Sequence, residues 1–141
     1  DTATTEIYTN TESSAASDVY KRQDLDILGK EWNIPESEIR QILVIIEELF
    51  SNIVRYAFDV NQKHPVDIRL VRGESQIEIE LIDAGKPFNP LEYEAVHSAD
   101  PTSSDAGGMG LTLIRAFSSN AVYRRDSGKN HLTITKKVKD K

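Results

Sequence analysis

The sequence predicts an α/β two-layer sandwich, with helices laid on one face of a sheet whose other face meets water. Two periodicities point there. Between Pro35 and about Phe58, apolar residues recur at three- and four-residue spacing, the signature of a helix buried on one side. Residues 66–71 and 76–82 instead alternate apolar with polar side chains, as half-buried strands do. The length, 141 residues, is one domain's worth of chain, and 1–141 is expected to form a single domain without internal repeats.

Taken in order, residues 5–9 (Thr-Glu-Ile-Tyr-Thr) read as a short first strand. From about 14 to 32, Val19, Leu25, Leu28 and Trp32 supply the apolar side of a helix, which Asn33-Ile34-Pro35 breaks. Pro35, Glu36 and Glu38 suit the first turn of a second helix, because proline fits there and acidic groups oppose the positive helix end. Along that helix Ile39, Ile42, Leu43, Ile46, Leu49, Phe50, Ile53 and Ala57 make one buried stripe. At ~100° per residue, Glu48 and Asn52 stand one turn apart beside the stripe, at the edge of the core. Residues 61–65 turn the chain into the two alternating strands, which Gly73-Glu74 link.

Residues 84–107 form a long irregular stretch rich in Pro, Ser, Asp and Gly, with one helical turn near 91–96. A loop this long inside a compact domain is usually functional, and a lid is expected over 87–107. Gly107-Gly108-Met109-Gly110 leads into a helix at 111–117. Two closing strands, 122–125 and 132–138, are joined at Ser127-Gly128-Lys129-Asn130, and 139–141 is a solvated tail.

Composition narrows the function. Seventeen basic against 23 acidic residues give a net charge of −6, which disfavours a general nucleic-acid or anionic-membrane binder. There is no cysteine, so disulfides, thiol catalysis and cysteine-ligated zinc are excluded, and a reducing cytoplasm is the expected home. The longest aliphatic run, 42–46, is far short of the ~20 residues a membrane span needs. His64, His97 and His131 show no metal-ligand spacing. Arg124, Arg125, Lys129, Lys136, Lys137, Lys139 and Lys141 read as a charged, solvated strand edge, and Trp32 as core.

Three clusters carry chemistry: Glu48-Leu49-Phe50-Ser51-Asn52 on the long helix, Asp83-Ala84-Gly85 after a strand, and Gly108-Met109-Gly110-Leu111 before a helix. Singly each is weak. A dinucleotide fingerprint is not met, because the third glycine and the βαβ unit are missing, and no Walker-type Gly-Lys-Ser/Thr follows the glycines. Their order and spacing, however, resemble the GHKL nucleotide-binding fold of gyrase, histidine kinases and heat-shock chaperone ATPases. The small size, the two leading helices and Pro87-Phe88-Asn89-Pro90 are similar to the stand-alone anti-sigma-factor serine kinases of bacteria. The resemblance runs from about Thr4 to Val138. It implies a GHKL/Bergerat-type fold, a mixed, mostly antiparallel sheet with about three helices on one face.

The resemblance also implies roles. ATP or ADP is the expected nucleotide and Mg²⁺ the metal, held by the amide oxygen of Asn52. Asp83 accepts from the adenine amino group, where guanine's carbonyl would be repelled, and Gly85 lets the backbone approach the base. Gly108, Met109, Gly110 and Leu111 offer backbone amides to phosphate at a helix mouth. Thr133 is expected near the adenine end, although the family's Gly-Thr pair is replaced by Gly128-Lys129-Asn130. Glu48 is the general base, better phased than Glu47, which is turned ~140° from Asn52. Two further departures are Tyr56, where many relatives carry His, and Pro87, which replaces a box glycine.

The implied function is an ATP-dependent serine/threonine kinase in a partner-switching module: it phosphorylates an antagonist protein and sequesters a sigma factor, as a homodimer. The alternative is a nucleotide-binding interaction module without efficient phosphotransfer. It is favoured by the stretch between Pro87 and Gly107, which carries Glu92, Glu94, Asp100 and Asp105 and no Lys or Arg. Because the chain opens on Asp1, a kinase domain cut from a longer sensor or phosphatase fusion is a third reading.

Overall fold

The structure, a computed structural model, describes residues 3–9, 25–59, 66–92 and 110–138. Its elements are β1 (Ala3–Thr9), α1 (residues 25–31), α2 (Glu36–Ala57), β2 (Val66–Arg72), β3 (Gln76–Asp83), α3 (Gly110–Phe117), β4 (Asn120–Asp126) and β5 (Lys129–Lys137). Residues 90–92 add one helical turn. The expected 61–65 turn, most of the 87–107 lid, His64, His97 and the 139–141 tail lie outside the described residues, as does the first part of the 14–32 helix.

The strands form one sheet in the order β1-β2-β3-β5-β4, and every ladder is antiparallel. The expected parallel component is absent among the described residues. Its absence follows from the way the β4–β5 hairpin enters: β4 goes to the edge, and β5 returns beside β3 in the opposite direction.

Alternation decides which face is covered. Ile68 and Leu70 of β2 pair with Leu81 and Ile79 of β3, while Val66 stands opposite Asp83, and Leu132 and Ile134 of β5 extend the row. Against it lie Leu25 and Leu28 of α1, Ile114 of α3 and the stripe of α2. Each fully buried Ile or Leu contributes roughly 1.5–3 kcal/mol. The stripe is close to the expected one, with Ile45 buried and Leu43 only half-buried. Trp32 packs against this core from a partly buried position.

Two turns set the geometry. Asn33 takes a left-handed φ of 53°, while Ile34 N–H donates to Gly29 O at 2.9 Å and Asn33 N–H to Lys30 O at 3.3 Å. This is a Schellman motif, and it stops α1. Between β4 and β5 only Ser127 (φ 53°) and Gly128 (φ 75°) turn the chain, a type I′ hairpin with Asp126 paired to Lys129. The four-residue connection expected from sequence is therefore two residues long. Lys129 and Asn130 belong to the strand.

That parity also corrects Lys136. It shares the covered face with Asn130, Leu132 and Ile134 and is only 4% exposed. Its ammonium meets Glu38 Oε2 at 2.8 Å and donates to Gln41 Oε1 at 2.5 Å, both on the first turns of α2. It clamps the helix to the sheet and is no part of a solvated edge.

Candidate functional site

The site assembles where β3 ends against the last turns of α2. Ile77, Ile79 and Leu81 face the helices, so the period of two brings Asp83 to the same face, 3% exposed. Across the ladder stands Asn130, equally buried. Asp83 Oδ1 accepts from Gly85 N–H and from Asn130 Nδ2, each at 2.9 Å. Asp83 Oδ2 has no partner among the described residues. Burial raises the Asp83 carboxyl above the ordinary aspartate range, opposed by the Asn130 and Gly85 hydrogen bonds and by the charges of Arg125 and His131.

Gly85 answers first to the helix. A Cβ there would come within 2.5 Å of the Ala57 carbonyl oxygen, and the neighbouring Lys86 N–H donates to that oxygen at 2.9 Å. The missing side chain lets the exit of β3 dock on the end of α2. Beyond it, Asn130 is a hub. Its Nδ2 also donates to Lys86 O at 2.9 Å, and its Oδ1 accepts from Tyr123 Oη–H (2.6 Å), Arg125 Nη1 (3.1 Å) and Phe88 N–H (3.3 Å). Arg125 Nη1 reaches Gly85 O as well, at 2.7 Å. Arg125 is exposed on the edge strand, as expected, and from there it also reaches into the site.

On α2, Glu48, Asn52 and Tyr56 succeed one another at i,i+4 and share one side of the helix. The Tyr56 ring meets Phe88, just past the Asp83 box, with centroids 5.5 Å apart. That contact aims the row at the exit of β3. Asn52 is 3% exposed. Glu48 is half-buried, and its Oε1 is buried without a hydrogen bond. Glu47 Oε1 is likewise buried without a hydrogen bond, and Glu47 has an interaction through another part of the residue or of another kind; it is helical phase that sets Glu48 on the Asn52 side. At 1.5 Å per residue, Asn52 lies ~7.5 Å and Glu48 ~13.5 Å along the axis from Ala57, the residue docked on the Asp83 box.

Gly110 and Leu111 open α3, which packs on α2 and buries Ile114. Gly108 and Met109 lie outside the described residues. Thr133 is a correction. It pairs with Glu80 and Val122, three positions from Asn130 and hence on the opposite face of the sheet from Asp83. The residue opposite Asp83 is Asn130, which sequence reasoning placed in a turn. Counting back by twos from Ile134 and Leu132 would have found it.

The side chains present fit a magnesium nucleotide: a buried carboxylate oxygen without a hydrogen bond at Glu48, a neutral amide at Asn52 and a buried carboxylate at Asp83 whose hydrogen bonds go to Oδ1. Two comparisons with known proteins bear on this arrangement. The sequence pattern described as the histidine kinase-like ATPase domain matches residues 20–136. The serine/threonine-protein kinase BtrW of Bordetella bronchiseptica is 30% identical over 92 residues, which cover 63% of this chain and 63% of that kinase. The match therefore spans less than two thirds of that relative's length.

Proposed function

The chain belongs to the histidine kinase-like ATPase domain family, and from that premise we propose that it is an ATP-dependent serine/threonine protein kinase of the anti-sigma-factor type. Its substrate is an antagonist protein. It sequesters a sigma factor when that antagonist is phosphorylated, and it acts as a homodimer.

One observation carries the kinase reading. Glu48 Oε1 is buried and unpartnered on the row that leads through Asn52 and Tyr56 to the Asp83 box. A buried carboxylate oxygen without a donor is costly, and a substrate hydroxyl is a donor that would satisfy it. The base at one end, the adenine-reading carboxylate at the other and a metal-holding amide between them suit an extended triphosphate. Asn52 would hold Mg²⁺, which supplies charge neutralisation at the phosphates when bound. Glu48 takes the proton of the serine hydroxyl as its oxygen bonds to the γ-phosphorus. The bond to the bridging oxygen breaks and ADP leaves. Asp83 orients the base, and Gly110 with Leu111 presents helix-mouth amides to phosphate. BtrW bears the name of a serine/threonine kinase, which supports the same chemistry.

A second reading, a nucleotide-binding interaction module without efficient transfer, is favoured by the absence of Lys and Arg between Pro87 and Gly107. Two variants separate the readings. Asn52→Ala should lose Mg²⁺-ATP affinity. Glu48→Gln should bind Mg²⁺-ATP normally and lose at least ~100-fold in single-turnover transfer to the antagonist. Unchanged transfer in Glu48→Gln would remove Glu48 as the base.

A further inference from the structure

The amide of Asn130 can stand only one way round. Lys86 O can only accept, and it lies 2.9 Å from Nδ2. Arg125 Nη1 and Phe88 N–H can only donate, and both point to Oδ1. Flipping the amide would oppose donor to donor and acceptor to acceptor at every one of these contacts. Nδ2 therefore faces Asp83 for reasons that do not involve Asp83 itself.

Asp83 is constrained in turn. Its Oδ1 receives two groups that can only donate, Asn130 Nδ2 and Gly85 N–H. Oδ1 is thereby held as an acceptor and cannot be turned outward without orphaning a buried amide. Oδ2 is left as the ligand-facing oxygen, and in the ionised carboxylate it can only accept. A purine 6-amino group satisfies it. A 6-oxo group sets two acceptors against each other, and the carboxylate has no freedom to rotate away.

Resting on the nucleotide-site reading above, we propose that Asn130 sets the base selectivity of this protein: by pinning Asp83 Oδ1 it leaves Oδ2 to accept from 6-aminopurine nucleotides and to reject 6-oxopurine nucleotides. Asn130 acts through Asp83 and is a positioning residue. Tyr123 fills out the hub without deciding its direction, since its hydroxyl can donate or accept.

The test is the ratio of ATP to ITP affinity, read by titration calorimetry. ITP differs from ATP only in carrying a 6-oxo group and the ring proton that accompanies it. Asn130→Leu, close in volume and without a donor, should collapse the ratio about tenfold or more, a loss of about 1.4 kcal/mol in discrimination. Asn130→Ser, a second variant that keeps a small polar group in the buried site, should lower the ratio by at least about threefold. Tyr123→Phe perturbs the same hub and should hold the ratio within about twofold. General loosening of the fold lowers both affinities together and leaves the ratio alone. A ratio unchanged in both Asn130 variants overturns the proposal while the nucleotide site stands. A parent protein that binds ATP and ITP equally, or neither, overturns the adenine reading and this proposal with it.

Discussion

Asp83 is where stability and function oppose each other. Burial holds its carboxyl above the ordinary aspartate range, so the folded chain grips that proton more tightly than the unfolded chain does. The stabilisation linked to this group is complete below the unfolded-state pKa and is lost as pH rises through the raised value. Adenine binding in the proposed site has the reverse dependence, because only the ionised Oδ2 accepts. ATP affinity should therefore climb with pH across the window in which stability falls. Asp83→Asn should remove both trends. It should melt no more than about 3 °C below the parent at neutral pH, because a neutral amide relieves the buried charge at nearly the same shape. With Oδ1 still held by Gly85 and Asn130, the variant must put its amide nitrogen where Oδ2 was, and its base preference should turn toward ITP. Thermal melts across pH and paired ATP and ITP titrations check all three. An Asp83→Asn variant that still prefers ATP would contradict the pinning of Oδ1.

Among the elements, α2 serves two ends of the molecule. Its last turns dock on the Asp83 box through Ala57, and its first turns are anchored by Lys136 on β5. The anchor and the site lie at opposite ends of the helix, so the two can be perturbed separately. Glu38→Ala leaves the buried Lys136 ammonium with Gln41 as its remaining partner among the described residues and should cost about 2 kcal/mol, less than a fully buried pair because Glu38 is partly exposed. Lys136→Met replaces the pair by apolar packing and should stay within about 1 kcal/mol of the parent. Urea unfolding measures both. ATP affinity measured well below the melting range should change in neither. The helix pattern made α2 legible from its stripe, but not this anchor, because a lysine in a basic cluster reads as solvated until the strand parity is known.

For the whole molecule, nucleotide and metal should act as one ligand. In the proposed site the row of Glu48 and Asn52 brings no cation toward the phosphates, and the stretch from Pro87 to Gly107 has no Lys or Arg. On the proposed reading Mg²⁺ would offset most of the phosphate charge. Saturating Mg²⁺-ATP at about 100 times its Kd should stabilise the fold by about 2.7 kcal/mol. Chelating the metal should abolish most of that gain, and GTP with Mg²⁺ should give far less. Equal thermal stabilisation by ATP with and without chelator would show that the metal is not part of the site. Among the described residues no helix is long and apolar enough to cross a membrane.

The sequence by itself determined the layers, the boundaries of α2, β2 and β3, and the boxes at Glu48-x-x-x-Asn52 and Asp83-x-Gly85. These are written in short-range period and spacing, which a helix or strand obeys whatever surrounds it. Only the tertiary structure decided what completes the site. A two-residue type I′ turn, where four residues were expected, carries Asn130 into β5 and sets it across from Asp83, with Tyr123 and Arg125 behind it. The same step puts Thr133 on the far face and Lys136 in the core. One residue of register moves every side chain of a strand to the other face. Alternation within β5 groups Asn130 with Leu132 and Ile134, but which residue faces Asp83 is fixed by pairing between strands more than forty positions apart in the chain.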